Sequence, residues 1–359
     1  MDALEPFRAD EGSVRSGSSG NARSQGTWSE GQVRIDVHPG GVPAFLYPLN
    51  QRLARDIDAF VHWFSAHKAD LDHLAARHGA LLFRGFPLKG TEDFQRSINH
   101  YPTNDMTYIG GVAPRGQIAE RVFESTRAPK EWNLVLHQEM AYLPRFPRMI
   151  AFFSKRAAWA GGETILADFR DLESRLPQRL WDQVKARGVR YERNFRAPED
   201  IQPWRAILHK TWMDAFGTDD PTAVEEACRS VGLQPVWQDD GSLSTFYTSP
   251  GFMEHPLTGE TVWFNHIASQ TLNHRTLGRQ WADYRDHYGD HLKGPFNPTY
   301  GDGEPFDPED LEALYLVLDS LIQACRWQEG DLLLVDNILT AHGRSPYEGE
   351  REVQVALLG

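Results

Sequence analysis

The stretch Leu136-His137-Gln138-Glu139-Met140-Ala141-Tyr142 decides how this chain is read. Its context is apolar and strand-like, and along a strand residues i and i+2 face the same way. His137 and Glu139 are therefore expected to converge on one point while Gln138 looks away. One imidazole and one carboxylate make two-thirds of a facial metal triad. A His-x-Glu pair by itself is also an ordinary surface pair, so the reading turns on a third ligand and a use for the metal.

The third candidate is His342. It follows Asp331-Leu332-Leu333-Leu334-Val335, which reads as a buried strand, and the turn Asp336-Asn337. Strand ends and the loops beyond them are where site residues collect. Two histidines and one carboxylate leave adjacent coordination positions open. That suits non-haem Fe(II) that must bind a cosubstrate and O₂, whereas a structural zinc site is closed by four protein ligands. Arg351 opens the last strand, where Val353, Val355 and Leu357 share its parity and so its face. A guanidinium in line with core residues needs a carboxylate partner. Glu350, Glu352 or another protein acid is one such partner, and a bound dicarboxylate is the other.

Composition narrows the function classes. The chain has 359 residues, 40% of them hydrophobic and 11% aromatic, which is enough for a substantial core. A formal net charge of -13 opposes binding to nucleic acid or to an anionic membrane surface. Two cysteines, Cys228 and Cys325, supply neither a disulfide framework nor a zinc spacing. With no apolar leader and no run of membrane-spanning length, a cytoplasmic setting is expected.

Residues 1–30, rich in Ser, Gly and Arg, are expected as a flexible leader, and 31–359 as a single domain. Helical spacing runs from Asn50 to His78 with a break near Ser65-His67, and Ala80 to Arg84 reads as a buried strand. The Gly/Pro loop from Tyr108 to Gly116 lacks the pattern of a phosphate cradle. Strands are expected over Met149 to Ser154 and Thr164 to Asp168, and helices over Pro177 to Arg187 and Asp307 to Ala324. His287 and His291 have i, i+4 spacing, but the intervening Gly289 favours a solvated loop over a metal-binding helix. Many short strands with helices between them predict a mainly β chain with helical insertions, a sandwich or jelly roll.

These motifs together resemble a known family. His137-x-Glu139, Gly161-Gly162-Glu163-Thr164, Asp336-Asn337 with His342-Gly343-Arg344, and Gly349-x-Arg351 stand in the order found in the taurine dioxygenase (TauD/TfdA) superfamily of Fe(II)/2-oxoglutarate oxygenases. Arg84-Gly85-Phe86, Tyr108-x-Gly110-Gly111-x-x-Pro114-Arg115 and the choice of Glu as carboxylate are similar to its clavaminate synthase-like and syringomycin-hydroxylase-like branch. The resemblance implies a double-stranded β-helix (jelly-roll) core, with His137, Glu139 and His342 as iron ligands and Fe(II), 2-oxoglutarate and O₂ as cofactor and cosubstrates. It implies that Arg351 binds the distal carboxylate of 2-oxoglutarate with help from the Thr164 hydroxyl. Relatives mostly hydroxylate or desaturate small amino-acid-like molecules, free or tethered to a carrier protein, in natural-product biosynthesis. Tyr108, Arg115, Asn265 and Arg344 are the residues expected near such a substrate. Val355 stands where many relatives carry a second basic residue, which counts against anionic substrates such as sulfonates. Halogenation is not expected, because halogenating relatives vacate the carboxylate ligand. A zinc hydrolase on the same triad would not need Arg351 or Thr164, and a catalytically silent binding protein would not need the ligands at all.

Overall fold

The computed structural model describes residues 25–103, 116–199, 209–289 and 294–359. The chain is mainly β, with helices covering both faces of a two-sheet sandwich. Among the described residues the larger sheet has nine strands, in the order Gln25–Trp28, Val33–Val37, Ala44–Pro48, Ala80–Phe83, Leu332–Asp336, Met149–Arg156, Glu352–Leu358, Val122–Glu124 and Gln117–Ala119. The smaller sheet runs Gln323–Cys325, Thr164–Asp168, Thr340–Arg344 and Leu134–His137, antiparallel throughout.

The apolar run Leu332–Asp336 is buried at every position because both of its faces are covered. Leu333 and Val335 point between the sheets, where they meet Leu166, Phe152, Val353 and Val355. Leu332 and Leu334 point outward into an aromatic cluster of Phe60, Phe64, Phe83, Phe86 and Phe153, built with the helices Ile57–Ala66 and Lys68–His78. The parity expected for the last strand holds: Val353 and Val355 line the interior, and Ala356 and Leu358 face the helices. Arg84 anchors this layer with a bidentate grip on the buried Asp331 carboxylate, at 3.1 and 2.7 Å, and a bond to the Arg326 carbonyl. The first residue of Arg84-Gly85-Phe86 is thus a structural bracket.

The outer face of the smaller sheet is covered by the described residues between 169 and 322, whose apolar side chains share one cluster with Leu136, Ile165, Ala167 and Ala341. That segment carries its own antiparallel sheet, Gln234–Trp237, Leu243–Ser249, Val189–Phe195 and Phe296–Tyr300, and a hairpin of Phe252–Glu254 with Thr261–Trp263.

Three expectations need correction. The expected leader boundary at residue 30 falls too late: Gln25–Trp28 is an edge strand on Val33–Val37, and Trp28 packs edge-on against Trp63 at 5.6 Å. The helix expected from Asp307 to Ala324 spans Pro308–Leu321, because Gln323–Cys325 leaves it to pair with the strand Thr164–Asp168. His287 lies in the helix Trp281–Tyr288 rather than in a loop, and His291 lies outside the described residues. No helix among the described residues is long and apolar enough to cross a membrane.

Candidate active site

Register brings the triad together. His342, mid-strand in Thr340–Arg344, is the direct partner of His137 on one side and of Leu166 on the other. Leu166 faces the space between the sheets, and cross-strand partners share a face, so His342 points inward too. Its ring lies 5.3 Å from Phe152 of the opposite sheet and 4.4 Å from the ring of His137. The ligand atoms of His137, Glu139 and His342 all lie within 4.8 Å of one another. His342 Nε2 and Glu139 Oε2 stand 3.7 Å apart, too far for a hydrogen bond.

Strand alternation is not what delivers Glu139. The strand ends at His137, and Glu139 sits in the following turn, where Met140 takes a positive φ of 62°. Two neighbours hold that turn. Asn337 accepts from the Glu139 N–H at 2.6 Å and donates to the Glu139 carbonyl at 3.0 Å, gripping both backbone groups of the ligand residue. Gln138 is fully buried, and its amide donates to the carbonyls of Trp263 and Ile338, each at 2.8 Å. His266 Nε2 donates to the Gln138 carbonyl at 2.5 Å. Asn337 belonged to a motif visible in the sequence, but its grip on Glu139 did not; nothing in the sequence marked His266 for its contact.

The residues fit a divalent metal. His137 donates from Nδ1 to the Val135 carbonyl at 2.9 Å, which leaves Nε2 with a free lone pair. Burial, then the neighbouring His342, push the His137 pKa down to about 3, so its ring is neutral and ready to ligate at ordinary pH. Two imidazoles and one carboxylate form the donor set of a facial triad with open positions.

The residues expected to bind a carboxylate lie along and beside the same strands. Thr164 pairs with Arg344 two positions from His342, so both belong to the inward-facing row. Buried Trp327 donates its indole N–H to Thr164 Oγ1 at 3.1 Å, which leaves the hydroxyl proton for another acceptor. Nothing in the sequence pointed to Trp327. Arg351 donates from Nε to the Gly162 carbonyl at 2.9 Å. Gly162 is required there: at φ 72° a Cβ would stand 3.0 Å from Arg351 Cδ. The acids proposed by sequence as partners of Arg351 are taken, Glu350 by Arg156 and Glu352 by Lys155. Among the described residues no carboxylate forms an ion pair with Arg351. Burial and then the nearby Arg344 cation push its pKa down to about 10.

The expected substrate residues fare differently. Tyr108 and Arg115 lie outside the described residues. Asn265, expected to turn toward a substrate, instead donates to the Gly251 carbonyl at 3.0 Å and accepts from the Ile267 N–H at 3.1 Å, tying its hairpin to the next helix. Arg344 is buried and spends its terminal nitrogens on the carbonyls of Ala128, Pro129 and Trp132. Those carbonyls belong to the segment that leads into the metal strand Leu134–His137.

The fold and this site define a non-haem iron oxygenase of jelly-roll type. The family model for "Taurine catabolism dioxygenase TauD, TfdA family" matches residues 46–357, and the chain belongs to that family. It is a dioxygenase whose cofactor is Fe(II) and whose cosubstrates are 2-oxoglutarate and O₂. Among curated relatives, the dapdiamide synthesis protein DdaC of Enterobacter agglomerans is 31% identical over 84% of this chain and 88% of its own. A clavaminate synthase-like protein of Arabidopsis thaliana is 28% identical over 88% of this chain and 93% of its own. The structure of PvcB from Pseudomonas aeruginosa aligns with TM-score 0.51 and 16% identity over 94% of this chain and 95% of that one. PvcB is an Fe, alpha-ketoglutarate dependent oxygenase from an isonitrile synthetic pathway.

Proposed function

We propose that this dioxygenase hydroxylates or desaturates an unactivated C–H bond of a small amino-acid-like molecule, free or tethered to a carrier protein, in natural-product biosynthesis. His137, Glu139 and His342 hold the iron, Arg351 and Thr164 bind the distal carboxylate of 2-oxoglutarate, and Tyr108 and Arg115 contact the substrate. The observation that carries the cosubstrate assignment is the largely desolvated Arg351 guanidinium, which forms no ion pair with a carboxylate among the described residues and bonds to Gly162, two residues before Thr164. A dicarboxylate supplies the counter-charge that such a group requires. The substrate class is supported by the likeness to the dapdiamide synthesis protein across most of both chains. Iron, when bound, supplies the oxidation by O₂ coupled to decarboxylation of 2-oxoglutarate. The protein's part is to hold the cosubstrate's far end and to present the iron ligands on one side only.

Anaerobic addition of Fe(II) and 2-oxoglutarate should give the weak visible charge-transfer band of the chelate. A well-folded, iron-loaded protein without the band overturns the cosubstrate assignment. Succinate release stimulated by members of a panel of amino acids, free and carrier-loaded, then identifies the substrate. No stimulation by any amino-acid derivative overturns the proposed class.

A further inference from the structure

The turn that carries Asn337 is itself held by a pair of side chains that no step of the reaction uses. Asp336 is fully buried, and its carboxylate accepts from the N–H groups of Ile338 and Leu339 at 3.1 and 3.2 Å. Its second oxygen meets His255 Nε2 at 2.9 Å, and His255 is also fully buried. The Thr258 N–H donates to His255 Nδ1 at 3.2 Å, and a backbone N–H can only donate. Nδ1 is therefore an acceptor, and Nε2 carries the proton given to Asp336. His255 stands just beyond the strand Phe252–Glu254 of a hairpin whose other strand, Thr261–Trp263, supplies the carbonyl held by Gln138. One hairpin thus reaches the His137-Gln138-Glu139 segment from two directions, through Gln138 and through Asp336 and Asn337.

We propose that His255 is a positioning residue for the iron-binding carboxylate: it orients Asp336, Asp336 fixes the turn, and Asn337 on that turn fixes Glu139. The proposal rests on Glu139 being a metal ligand. Asn337 acts on this ligand through its backbone, which sets where the side chain starts. Loss of the His255 proton donor lets residues 336–339 relax and lets Glu139 drift from the two imidazoles. Partners outside the ligand set typically contribute to metal affinity in this way.

The test is Mn(II) titration of the metal-free full chain, with free Mn(II) read by electron paramagnetic resonance. Loss of the link in His255→Leu weakens Mn(II) binding about 10-fold or more, and His255→Gln, whose amide returns a proton donor to Asp336, stays within about threefold of wild type. Asp336→Asn keeps the volume but sets an amide N–H₂ against the His255 N–H, so it carries the same expectation should His255→Leu fail to fold. A merely structural His255 lowers the melting temperature of the metal-free protein and leaves Mn(II) affinity unchanged. Folded variants that bind Mn(II) as wild type does overturn the proposal alone. A wild-type chain that takes up no Mn(II) overturns the assignment of Glu139 as a ligand, and this proposal with it.

Discussion

Replacing Arg351 with methionine should weaken 2-oxoglutarate binding and stabilise the protein that lacks it. The two effects share one cause. The guanidinium is largely desolvated beside Arg344, and its pKa is pushed down to about 10 first by that desolvation and then by that neighbour. Each unit of displacement corresponds to roughly 1.4 kcal/mol, so the uncompensated cation costs the cosubstrate-free protein up to roughly 3 kcal/mol. Methionine has similar length and no charge, and it removes that cost. The melting temperature should rise by about 2 °C or more, given the size of the chain. Against this, a charge-assisted hydrogen bond is worth roughly 1.5–3 kcal/mol, and two of them to one carboxylate amount to a loss of about 100-fold or more in affinity. The assay is an anaerobic titration of Fe(II)-loaded protein with 2-oxoglutarate, followed by the charge-transfer band, alongside thermal melts of metal-free protein. Unchanged 2-oxoglutarate affinity would refute the role of Arg351. A fall in melting temperature would refute the claim that its charge is uncompensated.

Thr164→Val removes a proton donor from the cosubstrate and an acceptor from Trp327, and should raise the KM for 2-oxoglutarate about 5- to 30-fold with little change in kcat, as measured by succinate release. Arg84→Met leaves the buried Asp331 carboxylate without its bidentate partner and should cost about 3–5 kcal/mol of stability in urea unfolding, while iron and 2-oxoglutarate affinities of the folded fraction stay at wild-type values. Acid should destabilise the metal-free chain. Burial lowers the pKa values of His137 to about 3, helped by the neighbouring His342, and of His266 to about 4, below the ordinary value of 6.5. The unfolded chain takes up these protons as pH falls through 6.5 and the folded chain does so only near 3 to 4. Stability held above pH 6.5 is therefore lost progressively below it, by up to roughly 2 kcal/mol per ring at pH 5. Melts of metal-free protein from pH 8 to 5 that show no decline would contradict this.

The sequence carried the elements whose signal is local. Leu332 to Val335 reads as a strand because both its faces are apolar, and Gly79 and Gly188 mark helix ends in the sequence and in the fold alike. The triad was legible because the chemistry restricts which residue types can serve, although the reason Glu139 arrives was not: the strand ends before it, and a side chain from the other half of the chain holds it. Where the reading failed, distant partners decided. Gln323 to Cys325 continues a helical pattern but finds a strand edge to pair with. The partner of Arg351 stayed open in the sequence because Glu350 and Glu352 flank it. Only the structure shows that Arg156 and Lys155 claim those two acids.

The pairing of His137 with His342 across adjacent strands also bears on when the protein can acquire its metal. The two imidazoles come from opposite halves of the chain, with the whole covering segment of the smaller sheet between them in sequence. During synthesis no partial chain short of the strand Thr340–Arg344 holds more than one histidine of the set. Iron capture is therefore a late event in the maturation of this molecule, and metal retention reports that the strand Thr340–Arg344 has paired with Leu134–His137.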